Sequence, residues 1–306
     1  MTDCAGPSFT VVIPTYERPA SLARCLTALS RASMPRSRFE VIVIDDTGRG
    51  ALERLIADFE EIDLTILRQD ERGPAAARNA GVAAARGTFV AFTDDDCEPS
   101  PDWLHSLERH LEGDPTLVIG GRTYNAVVDD PFAEASHLLV EFVSARPDRT
   151  GARFFPSNNL AMARSTFESV GGFDVAYRRA AGEDRDLCDR LHRAGHRLRY
   201  APRAVVAHHH SLGLVGFVRQ HFDYGRGAHR FRSGRARSRA GRLQLEGISF
   251  YARLLAAPVG RVTPWRAGPL MALMALSQAS VFAGFSWQAA GSRLGGRGDR
   301  AHGSGS

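Results

Sequence analysis

The first hundred residues alternate short apolar runs with stretches of helical period. Residues 9–13, 41–44, 64–67 and 89–92 are compact, β-rich apolar segments that read as strands, the first of them buried. Between them, residues 21–30 (SLARCLTALS) carry leucines at helical spacing with Ser21 as the N-cap. Residues 51–59 read as a second helix, and residues 74–85 as an alanine-rich helix opened by Gly73-Pro74. The order β-α-β-α-β-α-β predicts an α/β fold, a Rossmann-like, mostly parallel sheet with helices on both faces. The second half is less regular. It predicts strands at 117–121, 157–163, 198–200 and 204–207, and a helix at 185–194 in which Leu187 and Leu191 lie one turn apart.

Ligands of such sheets bind beyond the carboxyl ends of the strands. The polar residues that follow the first, second and fourth strands therefore converge on one crevice: Thr15 and Glu17, then Asp45 and Asp46, then Asp94, Asp95 and Asp96. Three adjacent carboxylates repel one another and are costly to bury unpaired. Carboxylate oxygens suit hard cations such as Mg²⁺ or Mn²⁺, so TDDD is a candidate metal site, with a surface acidic turn as the alternative. GPAAARNAG puts Arg78 and Asn79 on an otherwise apolar helix, where they either face solvent or reach across the sheet edge to an anionic or carbonyl group. Glu183-Asp184 follows a glycine-marked segment and is either a pair of helix caps or a general base on a mobile loop. VVAHHHS sets His208, His209 and His210 just past a strand, which makes at least one of them a candidate metal ligand.

Composition narrows the chemistry. The chain has 306 residues, 43% of them hydrophobic, enough for one full core with an appendage. All 39 basic residues are arginines, so lysine Schiff-base and lysine-nucleophile chemistry is excluded. The four cysteines form no CxxC pair and do not resemble a zinc site, which points to reduced thiols in the cytosol. No leader-like apolar segment precedes the first strand, so no signal peptide is expected.

In order, VVIPTYERP, VIVIDDT, GPAAARNAG, FTDDD, GGFD…GEDRDL and VVAHHHS make residues 9–211 resemble a family-2 glycosyltransferase of the GT-A, nucleotide-sugar-binding fold. The resemblance implies that Pro14, Thr15 and Glu17 line the nucleoside pocket, with Asp46 also on the nucleotide-sugar side. Asp45 would bind the base, and Arg78 and Asn79 would lie near the base or diphosphate. Asp94 and Asp95 would contact the ribose or sugar, and Asp96, with Asp94 and His208, would hold Mn²⁺ or Mg²⁺. Asp184, or Glu183 beside it, would be the base of an inverting transfer without a covalent intermediate. UDP-sugars are the commonest donors of such enzymes. Two departures matter: Asp46-Thr47-Gly48 replaces the usual Asp-Gly-Ser, which leaves the base preference open, and the QxxRW signature of processive synthases is absent, so one sugar per encounter is expected. A nucleotidyltransferase is the competing enzyme reading, but IPTYERP is not a basic, glycine-rich nucleotide loop. A non-catalytic nucleotide-sugar-binding membrane scaffold is the reading from another class.

The remaining sequence is basic and then apolar. Residues 219–242 are arginine-rich and carry no nucleic-acid motif, which favours an anionic membrane surface over nucleic acid as partner. Residues 268–290 hold no charge and have the length of one bilayer crossing, although Ser277, Gln278, Ser280, Ser286 and Gln288 are poor lipid-facing residues. Residues 248–262, broken by Arg253 and Pro258, read as an interfacial amphipathic segment. The expected organisation is a catalytic domain over 1–211, a basic helix or linker over 212–246, an apolar helical, membrane-associated extension over 247–292 and a disordered tail over 293–306. The expected location is the cytoplasmic face of the membrane, with a lipid-linked or membrane-proximal acceptor. A helical cover or a homodimer interface on a soluble cytoplasmic protein is the alternative for the apolar tail.

Overall fold

Eight strands form one sheet: β1 Phe9–Thr15, β2 Phe39–Asp45, β3 Leu64–Arg68, β4 Phe89–Phe92, β5 Cys97–Pro99, β6 Leu117–Asn125, β7 Leu160–Ala163 and β8 Arg197–His208. Their order is β3-β2-β1-β4-β7-β6-β8-β5 in the computed structural model of the chain, which describes residues 6–49, 57–145, 154–237 and 247–298 together with Leu52 and Leu55. The first four strands are parallel, β7 is antiparallel to both β4 and β6, β6 and β8 are parallel, and β5 runs antiparallel to β8.

Side-chain alternation along the buried strands divides the core between the two faces of the sheet. Val11 and Ile13 of β1 and Val41 and Val43 of β2 pack with Leu22 and Leu26 of helix α1 (Pro19–Leu29). The same cluster takes in Trp103 and Leu107 of α3 (Trp103–Leu111), a helix that follows α2 (Pro74–Ala83) in the chain. Val12, Ile42 and Ile44 point the other way, toward Ala75, Ala77 and Val82 of α2. The short α5 (Arg164–Ser169) adds Phe167 to this second cluster, and α6 (Glu183–Arg193) adds Leu187 and Leu191. Helices on both faces of an α/β sheet are thus as the sequence predicts.

Several local expectations are corrected. The N-cap of α1 is Arg18, whose side chain makes no capping bond, and Pro19 starts the helix two residues before Ser21. The segment 157–163 is a 3-10 turn at Ser157–Asn159 followed by β7. The helix expected at 185 begins at Glu183, so the acidic pair is its first turn. Residues 198–200 and 204–207 belong to one strand: pairing with β6 jumps from Gly121↔Ala201 to Arg122↔Val205, so residues 202–204 bulge out of a continuous β8. The pattern of apolar positions did not reveal α3, or the helix α4 (Pro131–Ser144). Of the helix expected over 51–59, the 3-10 turn Ala57–Phe59 is described and most of the rest lies outside the described residues.

The described residues fall into two compact units, one drawn from 1–127 and 143–210, the other from 128–142 and 211–306. The first holds the sheet. The second consists of α4, α7 (Leu214–Arg237), α8 (Ile248–Leu255) and α9 (Pro264–Gly298). Within it, Phe132 packs on Phe217 and Phe142 on Phe250, with ring centroids 5.6 and 5.3 Å apart, and Arg261 pairs with Glu141 at 2.8 Å. The expected tail over 293–306 is helical to Gly298, and its remainder lies outside the described residues.

Helix α2 lies close on the sheet because Gly81 has no side chain. A Cβ there would come within 2.5 Å of Val12 Cγ1 and 2.8 Å of Ile44 Cδ1. Gly81→Ala is expected to destabilise the chain by about 1–3 kcal/mol through overpacking, measured as a lower denaturant midpoint at unchanged slope.

Candidate active site

The crevice lies where β1, β2 and β4 end. Arg78, the fifth residue of α2 and only 2% exposed, reaches two acidic segments. Its Nη2 lies 2.6 Å from Asp94 Oδ1 and its Nη1 3.1 Å from Glu183 Oε1, while its guanidinium carbon stands 5.5 Å from the centre of the Phe173 ring. One buried arginine therefore neutralises carboxylates brought from β4 and α6, a geometry that a planar fork of donors satisfies and a lysine would not.

The other two carboxylates have a second arginine. Arg18, half-exposed at the start of α1, places Nη2 2.7 Å from Asp95 Oδ1 and Nη1 2.9 Å from Asp96 Oδ2. Thr15 donates its Oγ1 proton to Asp95 Oδ2 at 2.7 Å. Burial raises the Asp95 carboxyl to about 6, against the pull of Arg18 and Thr15. Asp96 goes the other way. Burial would raise it, but hydrogen bonds from His208 and His210 hold it well below the usual carboxylate range.

Pairing of β5 with β8 sets Cys97 opposite His208 and so brings Asp96 to the histidine run. His208 Nε2 is 3.2 Å from Asp96 Oδ1 and His210 Nδ1 is 3.4 Å from Asp96 Oδ2, with the two imidazoles stacked at 5.1 Å. His209 faces away, 3.0 Å from Glu98. Ligand atoms of Asp96, His208 and His210 lie within 4.8 Å of one another, and His210 Nε2 is buried with no partner among the described residues. This donor set fits a divalent ion, and its two imidazoles suit Mn²⁺ better than the oxygen-seeking Mg²⁺.

The remaining predicted residues divide sharply. Pro14 is buried in β1 beside Ile44, and Glu17 is exposed at a positive φ of 52° and pairs with Arg49 at 3.0 Å. Asp45 accepts from Thr47 N and Thr47 Oγ1 through Oδ1, while its Oδ2 is buried without a partner among the described residues. Asp46 is saturated by Gln69 Nε2 and by the backbone N–H groups of Arg72 and Gly73. Asn79 is also engaged, exchanging two hydrogen bonds with the backbone of Phe173. Asp46 and Asn79 thus brace the loops around the crevice. Glu183 is held by Arg78 and by the Ala181 N–H, whereas no ion pair holds Asp184 among the described residues. Burial, reinforced by the Glu183 charge, pushes the Asp184 carboxyl up to about 8.

The sequence alone leaves open which of the three histidines binds and does not single out Arg18. His210 was available from strand alternation, because residues 208 and 210 share a face and 209 does not. Arg18 is the one cation in IPTYERP, next to a crevice already known to be acidic.

The family profile described as "Glycosyl transferase family 2" matches residues 10–180. The chain belongs to that family. It is 36% identical over 233 residues to the pre-mycofactocin glycosyltransferase of Mycobacterium tuberculosis, a match covering 72% of this chain and 47% of that protein. The chain thus spans about half the length of that relative. It is 25% identical over 224 residues to the glycosyltransferase AglE of Haloferax volcanii, covering 72% of this chain and 73% of AglE. Among solved structures, the mannosyltransferase PcManGT from Pyrobaculum calidifontis, in complex with GDP-Man and Mn²⁺, superposes with a TM-score of 0.64 at 19% identity, over 93% of this chain and 88% of that one. TarS of S. aureus in complex with UDP-GlcNAc does so with a TM-score of 0.53 at 16% identity, over 94% and 92%. The fold is GT-A.

In this family-2 chain the Arg78–Glu183 pair is 2% and 3% exposed at its side chains, so deleting one partner strands the other. Arg78→Met is expected to cost about 3–5 kcal/mol in urea unfolding, and Arg78→Met with Glu183→Leu should recover part of that loss.

Proposed function

We propose that the chain is a metal-dependent, inverting glycosyltransferase that moves one sugar per encounter from a nucleoside-diphosphate sugar to an acceptor hydroxyl. The observation that carries the reading is the facing of Asp96 by His208 and His210 in the same crevice as Arg78, Asp94 and the acidic start of α6. Residues 1–211 would make up the catalytic domain. The donor class is supported by the nucleotide sugars bound to PcManGT and TarS, with UDP-sugars the expected donors.

Asp45 is suited to the base, because its unpartnered Oδ2 can accept a ring N–H. Thr15 and Pro14 would form the wall of that pocket. Asp96, His208 and His210 would hold Mn²⁺ or Mg²⁺, with Asp94 beside them, and the ion would supply positive charge for the departing diphosphate. Asp184 would take the proton from the acceptor hydroxyl as that oxygen bonds to the anomeric carbon and the bond to the diphosphate breaks. Glu183 is the less suited of the two, because Arg78 donates to its carboxylate. A carboxyl raised to about 8 is a competent base near neutral pH.

The acceptor would be lipid-linked or close to a membrane. Pro264–Ser292 contains a helical stretch long and apolar enough to cross a bilayer, and residues 211–306 carry fourteen arginines against three acidic residues. Anionic lipid at the cytoplasmic face would attract that charge.

Asp96→Ala is expected to abolish the Mn²⁺-dependent rise in melting temperature given by UDP, GDP or dTDP while leaving the apo protein folded. An unchanged Mn²⁺-dependent shift would refute the metal assignment. Asp184→Asn should keep nucleotide binding and lose at least about 100-fold in turnover. Because the base must be ionised, kcat/KM of the unmodified enzyme should climb with pH toward a midpoint near the Asp184 value of about 8, and that limb should vanish in Asp184→Asn. A flat profile from pH 6 to 9 in the unmodified enzyme would remove Asp184 from the role.

A further inference from the structure

Helix α9 wears its polarity inside out. Its buried stripe contains Met274, Ser277, Ser280 and Gly284, and the Ser277 and Ser280 hydroxyls donate back to carbonyls of their own helix. Between Trp265 and Ala290 the exposed residues include no charge and one hydroxyl, Ser286. Trp265, Phe282 and Trp287 are 77%, 73% and 70% exposed; Ala272, Leu276 and Ala279 lie between the tryptophans on the same outward face, and Phe282 lies at its edge. The serines that make residues 268–290 a poor lipid-facing segment by composition are largely turned away from the apolar face.

The same unit shows how α9 can meet a bilayer. Gly225 of α7 and Gly284 of α9 meet at van der Waals range, where a Cβ on Gly284 would fall 1.9 Å from the Phe222 carbonyl oxygen. Arg226 Nε donates to Gln288 at 3.2 Å, and Arg232 stands 5.3 Å from the centre of the Phe285 ring. At the other end, Arg266 donates to the Val128 carbonyl, and Asp130, two residues on, accepts from Ser211 and Leu212 at the approach to α7. The 281–288 part of α9 is therefore packed directly on α7, which carries Arg219, Asp223, Arg226, Arg230, Arg232 and Arg235, and its first turn is held to the 128–130 loop that leads to α7. An α9 that crossed the hydrocarbon would drag these charges with it, and charge at that depth is strongly disfavoured.

We propose that α9 lies in the plane of an anionic bilayer surface, its Trp265-to-Trp287 stripe sunk to the headgroup and acyl boundary and α7 above it, and that it does not span. The two tryptophans are 22 residues apart, so the stripe is about 33 Å long with its ends about 40° apart around the helix. Aromatic rings favour this boundary, and a helix with an apolar face backed by arginines has the form of an interfacial element. Charge complementarity selects lipid over a second copy. An isologous dimer would bring together two copies of a segment, residues 211–306, that carries fourteen arginines against three acidic residues, whereas anionic headgroups neutralise that charge. The inference rests on the membrane association proposed above and fixes its geometry.

The test uses the full chain with vesicles of phosphatidylcholine, with and without phosphatidylglycerol. A variant carrying Trp265→Phe, Trp287→Phe and Ala279→Trp puts a reporter at the middle of the stripe, over a constant background from buried Trp103. Lipids brominated near the headgroup should quench it more strongly than lipids brominated near the chain end, and alkaline carbonate should release the protein. Phe282→Asp should weaken vesicle binding by at least about tenfold without lowering the melting temperature, since that side chain is exposed. Strongest quenching by chain-end bromines with resistance to carbonate would overturn the in-plane geometry and leave membrane association standing. No vesicle binding at all would overturn both, and a concentration-dependent dimer lost in Phe282→Asp would then give the stripe to a second copy.

Discussion

Carboxylates gathered in a low-dielectric crevice are costly unless compensated, and four of those here are compensated by two arginines. Arg78 serves Asp94 and Glu183, and Arg18 serves Asp95 and Asp96. Their placement governs much else. Arg78 reaches the strand end because α2 sits low on the sheet, which Gly81 permits, and Arg18 arrives because Pro19 starts α1 directly after β1. Helix packing and charge compensation are one constraint, so the core and the crevice could not have been built independently.

Within that frame the acidic residues work in unequal pairs. Asp46 is saturated by the loop at 69–73, while Asp45 beside it keeps a bare oxygen. Glu183 is locked to Arg78, while Asp184 is left to the effects of burial and of its neighbour's charge. In each pair one carboxylate holds the scaffold and the adjacent one stays open to chemistry. The histidine run repeats the division, with His209 on Glu98 and its two neighbours on Asp96.

The parallel half of the sheet was legible because strands buried on both faces must be continuous apolar runs, and 9–13, 41–44 and 89–92 are such runs. The acidic strand ends were legible for the same reason, since a run of apolar residues stops where the sheet stops. What the sequence hid has physical causes. Helix α4 serves the second unit rather than the sheet, and no strand beside it lent it context. Strand β8 looked like two because the bulge at 202–204 interrupts its pattern. Asp46 and Asn79 carry polar side chains suited to a ligand, and only their backbone partners, 26 to 94 positions away in sequence, reveal that they brace loops instead. The histidine register was decidable from alternation alone.

The Arg78–Glu183 pair joins positions 105 apart in the chain, across the antiparallel seam of β4 and β7 that unites the two halves of the sheet. Closing so long a loop must be completed before Arg78 and Glu183 meet, and contacts of that separation tend to form slowly. Until then, the N-terminal strands and α2 can associate only around an arginine that has Asp94 but lacks Glu183. The crevice is consequently among the last parts of the sheet to mature, so a chain that has formed its parallel core on the ribosome still waits for α6 before its chemistry exists.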